Sequence, residues 1–310
     1  MINRVLIRIK VVQMLYNFML TRNVKSLAMA RDELQQSFDK SYELYNYLLK
    51  LIIDLTDLQD RYLDDAKHKF LPSQEDMNPN TKFVDNKLVE MLRINEPLQQ
   101  FITSHKLTWR DNEIFLKLML DKVLNTSIYH EYMESDDNDL RADCNLWRQL
   151  FKYVFIDDDD LLEELENQSL YWSCDDLDFM CQFVIKTIRR IEEGDEFPIL
   201  PQFKDEEDSE FGDSLFAAAV EQEELNTATI DHFIDSRHWD SDRIALIDRV
   251  ILLVALAEVR NFEKIPTTVT LNEYIEIAKS FSTPSSSSFV NGILHSAILE
   301  MKKNGSLMKP

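Results

Sequence analysis

Glycine is almost missing from this chain: there are 4 glycines, beside 8 prolines, in 310 residues. Glycine supplies the positive-φ turns, barrel corners and phosphate-cradling loops on which strand-rich and nucleotide-binding folds depend. A chain so poor in it reads as long helices joined by few tight turns. Apolar residues make up 45% of the sequence, enough to bury a core, so disorder is not the default. The expected fold class is all-α, built of helical bundles. No stretch approaches ~20 uninterrupted apolar residues, so no membrane span is expected. The N-terminus is apolar but interrupted by charge and lacks a small-residue cleavage site, so no signal peptide is read. Cys144, Cys174 and Cys181 cannot all pair, and none has a metal-like spacing with histidine. They read as reduced core thiols of a cytoplasmic protein.

Charge is distributed unevenly. The formal net charge is -22, whereas a protein that neutralises phosphates usually carries a basic footprint. Any nucleic-acid contact must therefore use a local patch. The first 31 residues contain no Asp or Glu, and Arg4, Arg8, Lys10, Arg22, Lys25 and Arg31 are all basic. Residues 4–20 read as an amphipathic helix, with Val5, Ile9, Val12 and Tyr16 along one face beside Leu15 and Met19. Arg4 and Arg8 are one turn apart and are expected to share an exposed patch.

Helix signals continue over residues 26–69, and residues 71–81 form a polar loop with two prolines. Residues 86–104 read as a helix that Pro97 breaks or kinks. Thr108 is the expected N-cap of a helix reaching Tyr132. The run at 157–160 consists of four aspartates, without the spacers or glycine of a calcium loop. It reads as a helix start, where acids complement the dipole, and residues 175–193 follow as a long helix. Residues 194–213 hold Gly194, Pro198, Pro201, Gly212 and an acidic run, and read as the clearest internal boundary.

No catalytic constellation emerges. The chain has no phosphate loop, no His-Glu-x-x-His helix and no serine elbow. No histidine follows a glutamate by three residues, as a di-iron bundle would require. No cofactor and no metal are expected, and the chain reads as a non-enzyme.

The C-terminal third makes local sense residue by residue. Residues 242–259 form a helix with Ile244, Ile247, Ile251, Val254, Leu256 and Val259 on its apolar face and Glu258 near its end. Ile265-Pro266 stops that segment. Thr270 is expected to N-cap the next helix, with Glu273 completing a capping box. Ser287 or Ser288 is expected to cap the last helix.

The order Asp248-Arg249-Val250-Ile251-Leu252, Glu258, Ile265-Pro266, Leu271-Asn272-Glu273, Ala278-Lys279-Ser280-Phe281 and Ser288-Phe289-Val290-Asn291-Gly292-Ile293-Leu294 resembles the C-terminal signature of the NusB family. Val12-Gln13-Met14-Leu15-Tyr16 resembles that family's first helix, and residues 213–239 resemble its central helix pair. The resemblance implies three parts: a family-like helix over 1–30, a helical insertion over 31–211, and a NusB-like bundle over 212–310. It also implies a transcription-antitermination adaptor that binds boxA-type ribosomal RNA with a NusE-type small-subunit ribosomal protein, inside an RNA polymerase antitermination complex. On this basis Arg4, Arg8, Lys10 and Gln13 are the expected RNA-binding residues. Tyr16, Leu20, Asp242 and Asp248 are the expected protein-partner residues, the acids suiting a basic ribosomal protein.

Two departures from the family pattern bear on this reading. Val5 and Leu6 stand where cations are common, and Ser285 to Ser288 stand where the position before Phe289 is often basic. The alternative is a NusB-like protein-interaction scaffold without significant RNA binding. A fused RNA methyltransferase would need a second catalytic domain and a glycine-rich cofactor loop, and neither is present in the sequence.

Overall fold

The computed structural model describes residues 2–236, 244–307 and 309. Every regular element among the described residues is helical. The helices are α1 (Arg4–Thr21), α2 (Leu27–Lys67), α3 (Gln74–Met77), α4 (Lys87–Ile94), α5 (Glu96–His105), α6 (Glu113–Leu124), α7 (Ser127–Glu134) and α8 (Leu140–Leu150). A π-helical turn, Phe151–Phe155, extends α8. Then come α9 (Asp159–Gln168), α10 (Cys174–Glu192), α11 (Glu206–Glu221), α12 (Glu223–Ser236), α13 (Leu246–Asn261), α14 (Thr267–Phe281) and α15 (Ser286–Lys303).

The chain divides into two compact units. One comprises Asp39–Gln202, and the other comprises Ile2–Phe38 with Phe203–Pro310. The long helix α2 thus supplies residues to both.

In the 39–202 unit, local capping chemistry sets most boundaries. Asn95 caps α5 by accepting from the Leu98 amide at 3.1 Å, and Pro97 falls in the first turn, where a missing N–H costs nothing. The expected single helix over 108–132 is instead two. Trp109 is buried, its indole N–H donating to the Tyr47 carbonyl at 2.8 Å and its amide to Asp54 at 3.1 Å. That anchoring holds residues 108–111 out of helix, so Asn112 caps α6 and Thr126 caps α7. Asp158, in the aspartate run, caps α9 by accepting from Leu161 at 2.8 Å. Cys144 and Cys181 are core thiols, but Cys174 is exposed in the first turn of α10, which corrects the reading of all three as buried.

In the other unit, α13 is the central helix, buried from Val250 to Val259. Helices α1, α11, α12, α14 and α15 all pack on it. The boundary expected to run to residue 213 ends earlier. Asp205 caps α11 by accepting from the Asp208 amide at 2.9 Å, so the acidic run is the first turn of a helix. Gly212 lies inside α11 because the packing there admits no side chain. A Cβ would stand 2.6 Å from the Phe38 ring and 3.1 Å from Ile7.

Candidate functional site

The expected site centres on α1. Asn3 starts the helix by accepting from the Leu6 amide at 2.9 Å. Leu6, Ile7, Val11, Val12 and Leu15 are then fully buried, and α1 packs against both α11 and α13. This is a helix enclosed on most sides rather than a simple amphipathic one.

Arg8 is 3% exposed, which corrects the expectation of a surface patch shared with Arg4. Its Nε and Nη2 donate to Glu258 Oε2 and Oε1 at 2.7 and 3.0 Å. Glu258 has no exposed surface. It also accepts from the Thr270 hydroxyl at 2.7 Å and the Tyr274 hydroxyl at 3.2 Å, and its main-chain carbonyl accepts from Lys309 Nζ at 2.9 Å. Burial acts against the Arg8 charge, but the hydrogen bond and charge of Glu258 outweigh it and the guanidinium pKa is raised. Burial and the adjacent Glu258 carboxylate push the Tyr274 phenol well above its ordinary value. A planar guanidinium matched to a carboxylate, with all donors and acceptors engaged, is the arrangement that makes a buried ion pair tolerable.

The same network explains why the expected capping box on α14 is not used. Helix α14 starts at Thr267, directly after Pro266. Thr270 turns inward to Glu258, and Glu273 lies 4.0 Å from Arg8 Nη1. The last helix also starts without a side-chain cap, at Ser286, whose hydroxyl donates to Asp248 Oδ2 at 2.8 Å. Asp248 is buried, so that carboxylate faces the core rather than an outside partner. Asp242 lies outside the described residues.

The cations nearer the surface meet acids from α11 and α12. Arg4 donates to Asp208 at 2.7 Å and lies 3.7 Å from Glu207, with its guanidinium 5.1 Å over the Phe211 ring. Arg22 pairs with Glu223 at 2.9 Å, and Arg31 pairs with Asp213 through both carboxylate oxygens. The arginines of the acid-free N-terminal segment are thus met by acids spread over α11, α12 and α13, with only Arg4 reaching the acidic run that opens α11. Lys10 is buried, while Gln13 and Tyr16 are half-buried on α1. Leu20 is 57% exposed, and Val24 and Leu225 are exposed as well. Beside Arg4 a cleft of about 390 Å³ is lined by Glu207, Glu210, Glu263 and Lys264, so its charge is not that of a phosphate pocket.

The sequence showed Glu258 directly after the apolar run 250–257, but its need for a buried partner was not drawn from it. An isolated acid in such a run calls for a buried counter-ion, and the acid-free first helix supplies it.

The pattern described as the NusB family matches residues 177–298, from within α10 to α15. A transcription antitermination protein NusB of Salinibacter ruber is 36% identical over 110 residues, covering 36% of this chain and 68% of the relative. The protein of the same name from Bacillus thuringiensis is 43% identical over 89 residues, covering 29% of this chain and 67% of the relative. That of Natranaerobius thermophilus is 40% identical over 86 residues, 27% of this chain and 62% of the relative. The matched segments span about two thirds of these relatives' length, and no solved structure matches the chain. The match begins in α10, within the 39–202 unit, and runs on through α11 to α15, which belong to the other unit and its core around α13; on this sequence match the chain belongs to the NusB family.

Proposed function

We propose that this chain is a non-catalytic transcription-antitermination adaptor that assembles with a boxA-type RNA and a NusE-type small-subunit ribosomal protein on RNA polymerase, in the cytoplasm. Family membership over α11 to α15 carries the reading. The exposed Leu20 and half-buried Tyr16 on α1, with the exposed Val24 in the turn that follows it, form the protein-partner face in this proposal. Asp242 then contributes through charge, and Asp248, buried and bonded to Ser286, supports the start of α15 rather than touching the partner. Arg4 is the RNA ligand of the set in this proposal, exchanging Asp208 and Glu207 for phosphate. Gln13 lies further along α1 on another face, half-buried. Arg8 ties α1 to α13 through Glu258, and Lys10 is buried.

A second reading is favoured by a specific observation. Arg4, Arg22 and Arg31 are all neutralised within the protein, and an adaptor that recruits a basic protein without RNA would look the same. Binding to a labelled boxA-like RNA, with and without the NusE-type protein and at low and high salt, separates the two. Phosphate contacts predict affinity that falls as salt rises, and Arg4→Glu should weaken it while leaving helicity intact. Partner binding with no RNA affinity in either protein would establish the scaffold reading instead.

A further inference from the structure

The 39–202 unit carries a groove of about 640 Å³ that nothing in the antitermination reading uses. One wall is the junction of α4 and α5, with Met91, Ile94 and Pro97. The other is the segment after α10, with Phe197, Pro198 and Ile199. Ile94 and Phe197 are 71% and 69% exposed. Large apolar side chains left this open, and clustered around one concavity, mark an interaction site rather than scattered surface apolarity.

The second wall is held in a fixed form. Arg190 Nη2 donates to the Phe197 carbonyl at 2.6 Å, and the Phe197 amide donates to Asp195 at 3.0 Å. Tyr42 donates to the Leu200 carbonyl at 2.9 Å, and the Leu200 amide donates to the Tyr45 hydroxyl at 3.0 Å. Two prolines, Pro198 and Pro201, stiffen the segment further. A groove fixed before binding spares the ordering cost that weakens docking to mobile segments.

Charge selects the occupant. The lining acids are Glu96, Asp195 and Glu196. Asp195 is already paired with Arg190 at 2.8 Å, which leaves the exposed Glu96 and Glu196, one on each wall. We propose that this groove docks a short segment of a protein partner that carries two bulky apolar side chains flanked by lysine or arginine. The apolar anchors cover Ile94 and Phe197, and the flanking cations meet Glu96 and Glu196. This inference is independent of RNA binding and of the surface on α1.

The test uses the full chain and a labelled peptide with two leucines between lysines. Two control peptides carry glutamates for the lysines or serines for the leucines. Fluorescence anisotropy should show binding of the first peptide only, weakened by salt. Hydrogen exchange should slow over residues 91–97 and 195–201 when it is bound. Ile94→Asp and Phe197→Ser should each lower affinity about tenfold or more, as loss of a central anchor does. Glu96→Lys with Glu196→Lys should turn preference toward the glutamate peptide. Both anchors are exposed, so circular dichroism should report intact folding in every variant. Peptide affinity that the variants leave unchanged, or protection elsewhere on the chain, would overturn the proposal. So would protection of the groove that grows with protein concentration in the absence of peptide, since a second copy would then be its occupant.

Discussion

Glu258 gathers four side-chain hydrogen bonds onto two carboxylate oxygens, from Arg8 twice and from Thr270 and Tyr274 once each. None of those groups can turn to water, since Arg8, Thr270 and Tyr274 are all buried. Removing one charge therefore strands the other in the core. Arg8→Met or Glu258→Leu should each lower unfolding free energy by about 3–5 kcal/mol, measured by urea denaturation. Arg8→Met combined with Glu258→Leu should lose less than the two single losses added together, because no unpaired charge remains. Equal additivity in that cycle would show the pair to be uncoupled. The consequence for function is practical: an RNA-binding defect in an Arg8 variant reports damage to the core, whereas Arg4 tests the surface.

Helix packing decides where this fold tolerates change. Helix α11 approaches α1 and the first part of α2 so closely at Gly212 that a methyl group would overlap the Phe38 ring. Phe38 is itself buried and stacks edge-on against Phe203 at 5.9 Å, so it has little room to yield. Gly212→Ala should destabilise the protein by about 1–3 kcal/mol despite alanine's better helix propensity. A smaller residue at position 38 should recover part of the loss in thermal melts. An unchanged melting temperature would mean that α11 shifts outward to accept the methyl group. The same close approach brings the acids of α11 to the arginines of α1 and α2, so a shift there would also loosen Arg4 and Arg31.

Across the whole molecule, proton-bearing groups are buried in both units. Burial pushes up the phenols of Tyr45, Tyr47, Tyr132 and Tyr274, with nearby carboxylates adding to it at Tyr132 and Tyr274. Burial also raises the Cys144 thiol from 9.0 to about 12 and raises that of Cys181. Each group holds its proton more tightly folded than unfolded. Its stabilising contribution is complete below its ordinary value and is lost as pH climbs toward the folded value. Stability should therefore fall steeply from about pH 9 upward, read as a declining urea midpoint between about pH 8 and pH 11. A flat profile over that window would show these side chains to be accessible to solvent in the native state.

Much of the architecture was legible because helix ends are local chemistry. Asn95 with Pro97 and Asp158 in its aspartate run mark boundaries within a few residues of themselves, and glycine scarcity fixed the all-helical class. Glu258 and Arg8 were both visible as unusual residues, one an isolated acid and the other in an acid-free segment. Their pairing was not, because 250 positions separate them. The sequence by itself determined the helical class, the helix start in the aspartate run, the absence of a recognisable catalytic motif, and the family. The caps expected at Thr108, Thr270 and Ser287 or Ser288 were displaced by tertiary contacts. The tertiary structure alone decided which cations face water. Charge on a helix says nothing of its surroundings until the opposing helices are placed, and here they bring acids to Arg4, Arg8, Arg22 and Arg31. It also decided that Thr270 faces the core and that Gly212 belongs inside a helix, since both depend on neighbours distant in the chain.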